Sequence, residues 1–195
     1  MAHGLLGGGH MPRMLGTRVM LREFEQNDLS EMRKWITDPD STRYLSDTFV
    51  IPHTWEQTSS FLDSLLSGSK PGVHLVIANL MTGDYLGQCD LMGVTNYSRK
   101  AELAIVMCPE HQGKGYGAES IELLLELAFC HMNLNRVYLR VCAENARAIA
   151  CYEKCGFERE GLLRQETFVD GKYSDIVVMG ILRDDWMRTH KRQDT

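Results

Sequence analysis

The segment QGKGYGA, residues 112–118, lies directly between a predicted strand and a predicted helix. Its three glycines at alternate positions allow the backbone to approach a ligand closely and to turn several N–H groups toward one point. The N-terminal dipole of the following helix and the cation of Lys114 both attract negative charge. The segment therefore predicts an anion site suited to a pyrophosphate, although a glycine-rich turn that only reverses the chain has the same composition.

Two other nucleotide-binding motifs do not fit this segment. In a Walker loop the lysine is followed by Ser or Thr, which binds Mg²⁺, whereas Lys114 is followed by Gly115. The dinucleotide fingerprint places its third glycine at a different spacing and begins with parallel strands, whereas the strands before residue 112 are predicted to form an antiparallel meander. The segment 112–118 therefore matches neither of these two nucleotide-binding motifs.

Hydrophobic periodicity on either side of the loop predicts one α/β (α+β) domain with a mixed sheet of about seven strands and flanking helices. Period-two alternation predicts strands over residues 17–23, 73–79, 85–93, 100–108, 136–142, 157–169 and 173–182. Helical spacing predicts helices over residues 27–37, with Asn27 or Asp28 as N-cap, and over 54–67, 115–131 and 145–155. Residues 38–53 show no regular pattern, and Asp170-Gly171 is a typical hairpin turn.

The composition is that of a soluble globular protein. The chain has 195 residues, of which 44% are hydrophobic and 24% charged. One domain of this size can bury a stable core without disulfides or a structural metal. No apolar run approaches the ~20 residues of a membrane-spanning helix. The net charge of −5 argues against nucleic acid. We expect a cytoplasmic protein that binds neither nucleic acid nor membrane.

The six cysteines form no C-x-x-C pair, which favours buried, reduced thiols. Cys151 and Cys155 are four residues apart and could share a helix face, but zinc would need a second matching pair, so we expect no metal. A thiol-based redox function at these two residues is an alternative that requires a thiol titrating near neutral pH.

The ends of the chain differ in composition from the rest. Residues 1–11 (MAHGLLGGGHM) are Gly-rich and lack the pattern of a signal peptide, so we expect a disordered leader introduced by cloning. Residues 12–185 are expected to form the single domain, and residues 186–195 a frayed polar tail.

Three blocks of the sequence, in order, resemble the GNAT superfamily of N-acetyltransferases. The loop QGKGYGA, after a strand ending in VMCPE, resembles the family signature Q/R-x-x-G-x-G/A. Residues 144–157 (ENARAIACYEKCGF) resemble the family's N-x-x-A-x-x-x-Y-x-x-x-G-F helix. Residues 161–173 resemble the closing hairpin of the branch that holds the ribosomal-protein N-terminal and spermidine acetyltransferases. The resemblance covers residues 17–183 and implies a GNAT-like fold in which the central strands splay apart.

The resemblance implies that acetyl-CoA, the co-substrate, lies between the splayed strands 100–108 and 136–142. The backbone of the first strand would pair with the pantetheine arm, and the loop would hold the pyrophosphate. The implied cofactor-binding residues are Ile105, Val106, Met107, Gln112, Gly113, Lys114, Gly115, Tyr116, Gly117, Ala118, Asn145, Ile149 and Tyr152. Asn145 could equally serve only as a helix N-cap. Arg147 and Lys154 could reach a phosphate or be solvated helix charges.

Acetyl transfer to an amine requires a neutral amine, a stabilised oxyanion and protonation of the departing thiolate. An alkylammonium of pKa ~10.4 is neutral in only about one part in a few thousand at pH 7, a cost of roughly 4–5 kcal/mol. The resemblance assigns Tyr152 as general acid, and a backbone N–H of Val106 or Met107 is an oxyanion donor. Glu102 lies on the face of Ala104 and Val106 and is our candidate base, unless it is only an exposed or ion-paired glutamate.

The acceptor side is less defined by the sequence. Trp35, Tyr44 and Phe49 offer apolar walls or are ordinary core residues, and Asp38, Asp40 and Asp47 are acidic residues offset by Arg43. Glu23, Glu25 and Asp47 are further candidate bases. His74 and His111 could shuttle protons, but a lone histidine is more often structural, so neither is assigned a role. The acceptor could be a polyamine, a protein N-terminus or an amino sugar, and a homodimer is compatible with the resemblance. A CoA-binding sensor without turnover is the alternative function.

Overall fold

A mixed sheet forms the centre of the protein in the computed structural model, which describes residues 13–45 and 47–190. In these residues the sheet has eight strands in the order β1-β2-β3-β4-β5-β6-β8-β7. The strands are β1 Met14–Leu15, β2 Val19–Arg22, β3 Val73–Asn79, β4 Tyr85–Thr95, β5 Lys100–Met107, β6 Arg136–Cys142, β7 Glu158–Val169 and β8 Lys172–Leu182. The mixed α/β fold class predicted from the sequence is thereby confirmed.

Helices cover both faces of the sheet. They are α1 Leu29–Ile36, α2 Pro39–Thr42, α3 Trp55–Leu66, α4 Tyr116–Glu126, α5 Ala146–Lys154 and α6 Arg183–His190. One core, which includes Leu103, Leu124 and Tyr152, lies between the sheet and α4 and α5. The second, which includes Met32, Leu62 and Val76, lies against α1 and α3. No helix in the described part of the chain is long and apolar enough to cross a membrane.

The antiparallel meander of β3, β4 and β5 follows from alternation and turn chemistry. Asn79 accepts hydrogen bonds from the N–H groups of Met81 and Thr82, and Gly83 adopts a positive φ of 77° in the same turn. The Asp170-Gly171 turn between β7 and β8 has both residues at positive φ, 50° and 81°, which is the backbone of a two-residue hairpin. The predicted strands and the Asp170-Gly171 turn are therefore where the sequence indicates them, and the short strand β1 adds an eighth to the seven predicted.

The region before α3 is more regular than its sequence suggests. A 3₁₀ turn, Gln26–Asp28, precedes α1, and Asp28 bonds the N–H of Glu25 at 2.7 Å instead of capping the longer helix. Within residues 38–53, α2 begins at Pro39 because the Asp38 carboxylate accepts from Ser41 N at 2.8 Å. These short elements depend on single side-chain caps, which hydrophobic periodicity does not detect.

The C-terminal region also differs from the prediction. The tail expected from residue 186 is helical as far as His190, because Trp186 is buried, contacts the Phe129 ring and donates to Glu122 at 3.1 Å. The helix predicted over 115–131 becomes a π-helical turn at Leu127–His131, and Arg183 donates to the carbonyl of Phe129 at 3.1 Å. The leader, residues 1–11, lies outside the described residues.

A charged pair links β3 to β4. His74 and Asp90 lie opposite each other, with Nδ1 2.6 Å from the carboxylate, and the second ring nitrogen is 3.1 Å from the carbonyl of Pro71. Because both neighbours of the ring are acceptors, the doubly protonated imidazolium satisfies them best. The hydrogen bond to Asp90 raises the pKa of His74, although burial opposes the shift. His74 is thus a structural residue of the sheet.

We expect His74→Gln to lower the free energy of unfolding by about 1–3 kcal/mol below pH 6, where the pair is charged. Because the folded-state pKa of His74 lies above its unfolded value near 6.5, the contribution is complete below pH 6.5 and is lost as pH rises through the folded pKa. Urea unfolding at pH 5.5 and 8.5 measures the free energy of unfolding with His74 charged and with His74 neutral. Exposed His131→Gln is the control, and an equal loss at both pH values would show that the pair is not charged.

Candidate functional site

Strands β5 and β6 form a parallel pair only at their beginnings. Lys100 to Glu102 pair with Arg136 to Tyr138, and there the ladder between them ends. Beyond that point β5 remains paired with β4 as far as Met107, and β6 remains paired with β8 as far as Cys142. The two strands therefore part and leave a wedge-shaped opening between residues 103–107 and 139–142.

Alternation along β5 decides which backbone groups face this opening. The N–H of Cys108 donates to Leu86 of β4 at 2.9 Å, so the N–H of Val106, two residues earlier, is also directed to β4. The N–H groups of Ile105 and Met107 then face the opening. Of the two predicted oxyanion donors, the geometry leaves Met107, and the backbone of Val106 does not line the opening as expected.

Gln112 ties the loop to the end of β5. Its side-chain amide donates to the carbonyl of Met107 at 3.0 Å, so this carbonyl, which faces the opening, already has a partner. The N–H of Met107 remains available on the same side. Gln112 thus acts on the protein backbone in this structure, a contact that the sequence motif alone does not reveal.

The loop presents a run of unpaired backbone donors. Gly113 and Gly115 adopt positive φ values of 73° and 84°, and the first helical bond runs from Glu119 N to Gly115 O at 3.3 Å. In the described part of the chain, the N–H groups of residues 113–118 donate to no protein acceptor. Together with the N-terminus of α4 and the exposed Lys114, they provide a concentrated anion-binding surface.

Two residues that the sequence analysis did not single out support this loop. Arg18 donates through Nη1 to the carbonyl of Lys114 and through Nε to Glu119, both at 2.9 Å. Glu119 also accepts from the N–H groups of Thr17 and Arg18 at 2.7 Å. Although burial opposes it, these hydrogen bonds lower the pKa of Glu119 to about 2. The contact spans 101 residues, so no local pattern points to it.

Helix α5 places the predicted tyrosine in the core beside the opening. Asn145 is the N-cap of the helix and accepts from Ala148 N at 3.1 Å, and Ile149 is buried. Tyr152 is 8% exposed and packs in the same core as Ile105 and Met107. Burial, with the nearby Cys151 and Cys155, raises its pKa above the ordinary range. Its hydroxyl has no hydrogen-bond partner among the described residues.

Glu102 lies at the point where β5 and β6 part. It is half-buried and stands opposite Tyr138 in the last paired step of the two strands. Burial raises the pKa of Tyr138, and the negative charge of Glu102 adds to the shift. No cation within the described ranges lies at ion-pair distance from Glu102. The carboxylate is therefore placed at the closed end of the wedge and is not held in a structural ion pair.

The predicted acceptor-side residues divide into core and rim. Trp35 is buried and donates to the Tyr85 hydroxyl at 3.1 Å, and Phe49 packs against it, so neither is an open wall. Arg43 forms an ion pair with Asp170 in the β7–β8 turn and does not neutralise Asp38, the N-cap of α2. The bridge connects the end of α2 to the β7–β8 hairpin.

The other residues that the sequence analysis considered make few contacts that would assign them a role. Arg13 lies 3.7 Å from Glu23, and the side chain of Asp47 lies outside the described residues. His111 contacts the ring of Tyr116 beside the loop. Arg147 and Lys154 are exposed on α5. Within residues 13–45 and 47–190, no three His, Cys, Asp or Glu side chains are grouped closely enough to hold a metal ion.

A family model described as an acetyltransferase (GNAT) domain matches residues 18–158. The chain belongs to the GNAT acetyltransferase family. It is an acetyl-CoA-dependent N-acetyltransferase, and the resemblance found in the three sequence blocks is confirmed.

Relatives of this GNAT protein include spermidine acetyltransferases. It is 30% identical to spermidine N(1)-acetyltransferase of Escherichia coli K12 over 184 residues, 89% of this chain and 90% of that enzyme. It is 39% identical to the enzyme of that name from Vibrio cholerae over 102 residues, 52% of this chain and 59% of that enzyme. The crystal structure of spermidine N-acetyltransferase from Vibrio cholerae in complex with CoA and spermine superimposes with a TM-score of 0.78 at 29% identity, covering 87% and 98% of the two chains.

Cys151, half-buried on α5 of this GNAT protein, has an unusual thiol. The neighbouring Cys155 thiol, helped by the charges of Lys154 and Arg147, lowers the pKa of Cys151 to about 7, although burial opposes the shift. Cys130 is exposed, but partial desolvation of its thiol raises its pKa, and the negative charge of Glu126 adds to that shift. The less exposed Cys151 should therefore react faster than the exposed Cys130, because the thiolate is the reacting species.

We expect iodoacetamide to alkylate Cys151 several-fold faster than Cys130 at pH 7, because the lowered pKa of Cys151 leaves more of it as the reacting thiolate, whereas the pKa of Cys130 is raised. Peptide mass spectrometry after timed quenching measures both rates in one sample. The Cys151 rate should level off above pH 8, while that of Cys130 continues to rise. Faster alkylation of Cys130 at pH 7 would contradict the lowered pKa and remove the chemical basis of the thiol-redox alternative.

Proposed function

We propose that this protein transfers the acetyl group of acetyl-CoA to a primary amine of a polyamine, with both substrates bound at once. The observation that carries the proposal is the parting of β5 and β6 beside a loop whose N–H groups are unpaired. A narrow opening with free strand donors suits the two amides of pantetheine, and the loop suits a pyrophosphate. The names of the Escherichia coli and Vibrio cholerae relatives support spermidine or spermine as acceptor. The net charge of −5 also favours a polycation.

The catalytic groups in this proposal surround the opening. The amine nitrogen attacks the thioester carbon, and the N–H of Met107 stabilises the oxyanion that forms. When the C–S bond breaks, Tyr152 donates its proton to the CoA thiolate, and the attacking nitrogen releases its second proton as it becomes the amide, which restores the phenol through water. The raised pKa of Tyr152 keeps the phenol protonated throughout the neutral range, as a general acid requires. Glu102, at the closed end of the wedge, accepts the proton that the ammonium must lose, either directly or through water.

The acceptor is tested by a panel of amines with acetyl-CoA in a thiol-release assay, after calorimetry has measured the binding of CoA. We expect CoA to bind, and spermidine and spermine to give the highest kcat/KM, above an N-terminal peptide and an amino sugar. Tight CoA binding with no release for any amine would support the sensor alternative. Preference for the peptide would overturn the polyamine assignment while retaining acetyl transfer, and no CoA binding would overturn the whole proposal.

The pH dependence of the rate distinguishes the proposed roles of Tyr152 and Glu102. We expect Tyr152→Phe to lower kcat about 100-fold or more at every pH, with CoA affinity unchanged, because only the proton donor is removed. Glu102→Gln should lower kcat/KM by a similar factor at pH 7, but the loss should fade toward pH 10, where the free amine forms without a base. Initial-rate profiles from pH 6.5 to 9.5 measure both.

Exposed Tyr97, in the turn between β4 and β5, provides the matched control. Tyr97→Phe makes the same chemical change as Tyr152→Phe and should leave the rates unchanged. Undiminished turnover in Tyr152→Phe would remove the tyrosine from the mechanism. A Glu102→Gln deficit that stays constant up to pH 9.5 would show that Glu102 is not the base.

A further inference from the structure

We propose that Arg18 is a positioning residue that fixes the phosphate-binding loop, residues 112–118, in its binding conformation through the carbonyl of Lys114 and the carboxylate of Glu119. This inference rests on the function proposed above, because it assigns the loop to the pyrophosphate of CoA. Arg18 lies 96 residues before Lys114, immediately before β2, and belongs to none of the three sequence blocks that resemble the family.

The bond to Lys114 controls the orientation of one peptide plane. In a trans peptide the C=O and the following N–H point in opposite directions. Arg18 Nη1 holds the C=O of Lys114 at 2.9 Å, so the N–H of Gly115 in the same plane is directed away from Arg18. Gly115 has a φ of 84°, and a side chain there would come within 3.1 Å of Arg18 Nη2. The glycine is therefore needed both for its backbone conformation and for the approach of the guanidinium.

Glu119 holds the guanidinium from the other side and connects it to the sheet. One carboxylate oxygen accepts from Arg18 Nε at 2.9 Å, and the other accepts from the N–H groups of Thr17 and Arg18. A side chain at Gly16 would come within 2.6 Å of that second oxygen, so the chain passes directly over it. The first turn of α4 is thus bound to the beginning of β2 at several points.

The ring of Tyr116 completes the contact, since the Arg18 guanidinium lies 5.1 Å from its centre. Arg18 thereby touches three successive parts of the anion site: the Lys114 carbonyl, the Tyr116 ring and the first turn of α4. Because its Nε and Nη1 are directed to protein acceptors, the arginine acts on the loop rather than serving as a solvated counter-ion. A lysine has a single charged nitrogen and cannot span Glu119 and the Lys114 carbonyl as this fork does.

Acetyl-CoA and S-acetylpantetheine, which lacks the pyrophosphate, test the inference. We expect Arg18→Gln to raise the KM for acetyl-CoA and the Kd for CoA roughly ten-fold, with kcat nearly unchanged, because the loop is no longer ordered before binding. With S-acetylpantetheine the variant and the wild type should react equally. Equal losses with both substrates would overturn the proposal, since Arg18 would then support the whole fold.

Two further variants separate positioning from direct phosphate binding. Arg18→Lys keeps the charge without the fork and should be as weak as Arg18→Gln, whereas recovery of CoA affinity would make Arg18 a phosphate ligand and overturn positioning. Glu119→Gln should reproduce the loss, and the double variant should be no worse than either single one. Additive losses would show that the two residues do not act as a unit.

Arg188→Gln, which removes an exposed ion pair with Asp185 on α6, is the control and should leave both KM and Kd unchanged. Thermal unfolding of every variant confirms that the fold is intact. If the wild type itself bound no CoA, the proposed function would fail before any variant was compared. The two failures are therefore distinguishable.

Discussion

The loss of pairing between β5 and β6 after Glu102 is the constraint on which the other features of the site depend. A buried strand edge normally loses stability when its N–H and C=O groups have no partner. Here the unpaired edge of β5 is tolerated because the other edge of the strand is paired with β4. The side chains of Ile105 and Met107 also pack into the core under α4 and α5. The protein thus maintains unpaired donors at an internal edge, which a ligand with its own amides can complete in the manner of an added strand.

The two halves of the sheet need other connections once this ladder ends. On one side α5 packs against α4, and Tyr152 joins the core that Ile105 and Met107 also contact. On the other side the ion pair of Arg43 with Asp170 bridges 127 residues of chain. Both partners of this pair are substantially exposed, so its contribution to stability is small. Packing under α4 and α5 is therefore the main connection between the two halves of the sheet beyond Glu102.

Local signals explain how far the sequence could predict this structure. The meander, the glycine loop and α5 were predictable because alternation, positive-φ glycines and helix caps act within a few residues. The direction of the Val106 N–H was not, because it depends on the register with β4, which Cys108 and Leu86 establish across the sheet. The same reason applies to Arg18 and Glu119, which meet only after β2 is placed beside α4. Helix α6 was missed because one buried tryptophan, Trp186, outweighs its polar surroundings.

In the mechanism proposed above, the burial of Tyr152 has opposite effects on the two requirements of a general acid. A dry environment raises the pKa of the phenol, which keeps its proton in place but weakens it as a donor. The departing thiolate in the same environment is also a desolvated anion, so its own proton affinity rises with that of the phenol. Proton transfer depends on the difference between the two pKa values rather than on either value alone. A buried tyrosine can therefore protonate a buried thiolate although the same phenol would be a poor acid toward a thiolate in water.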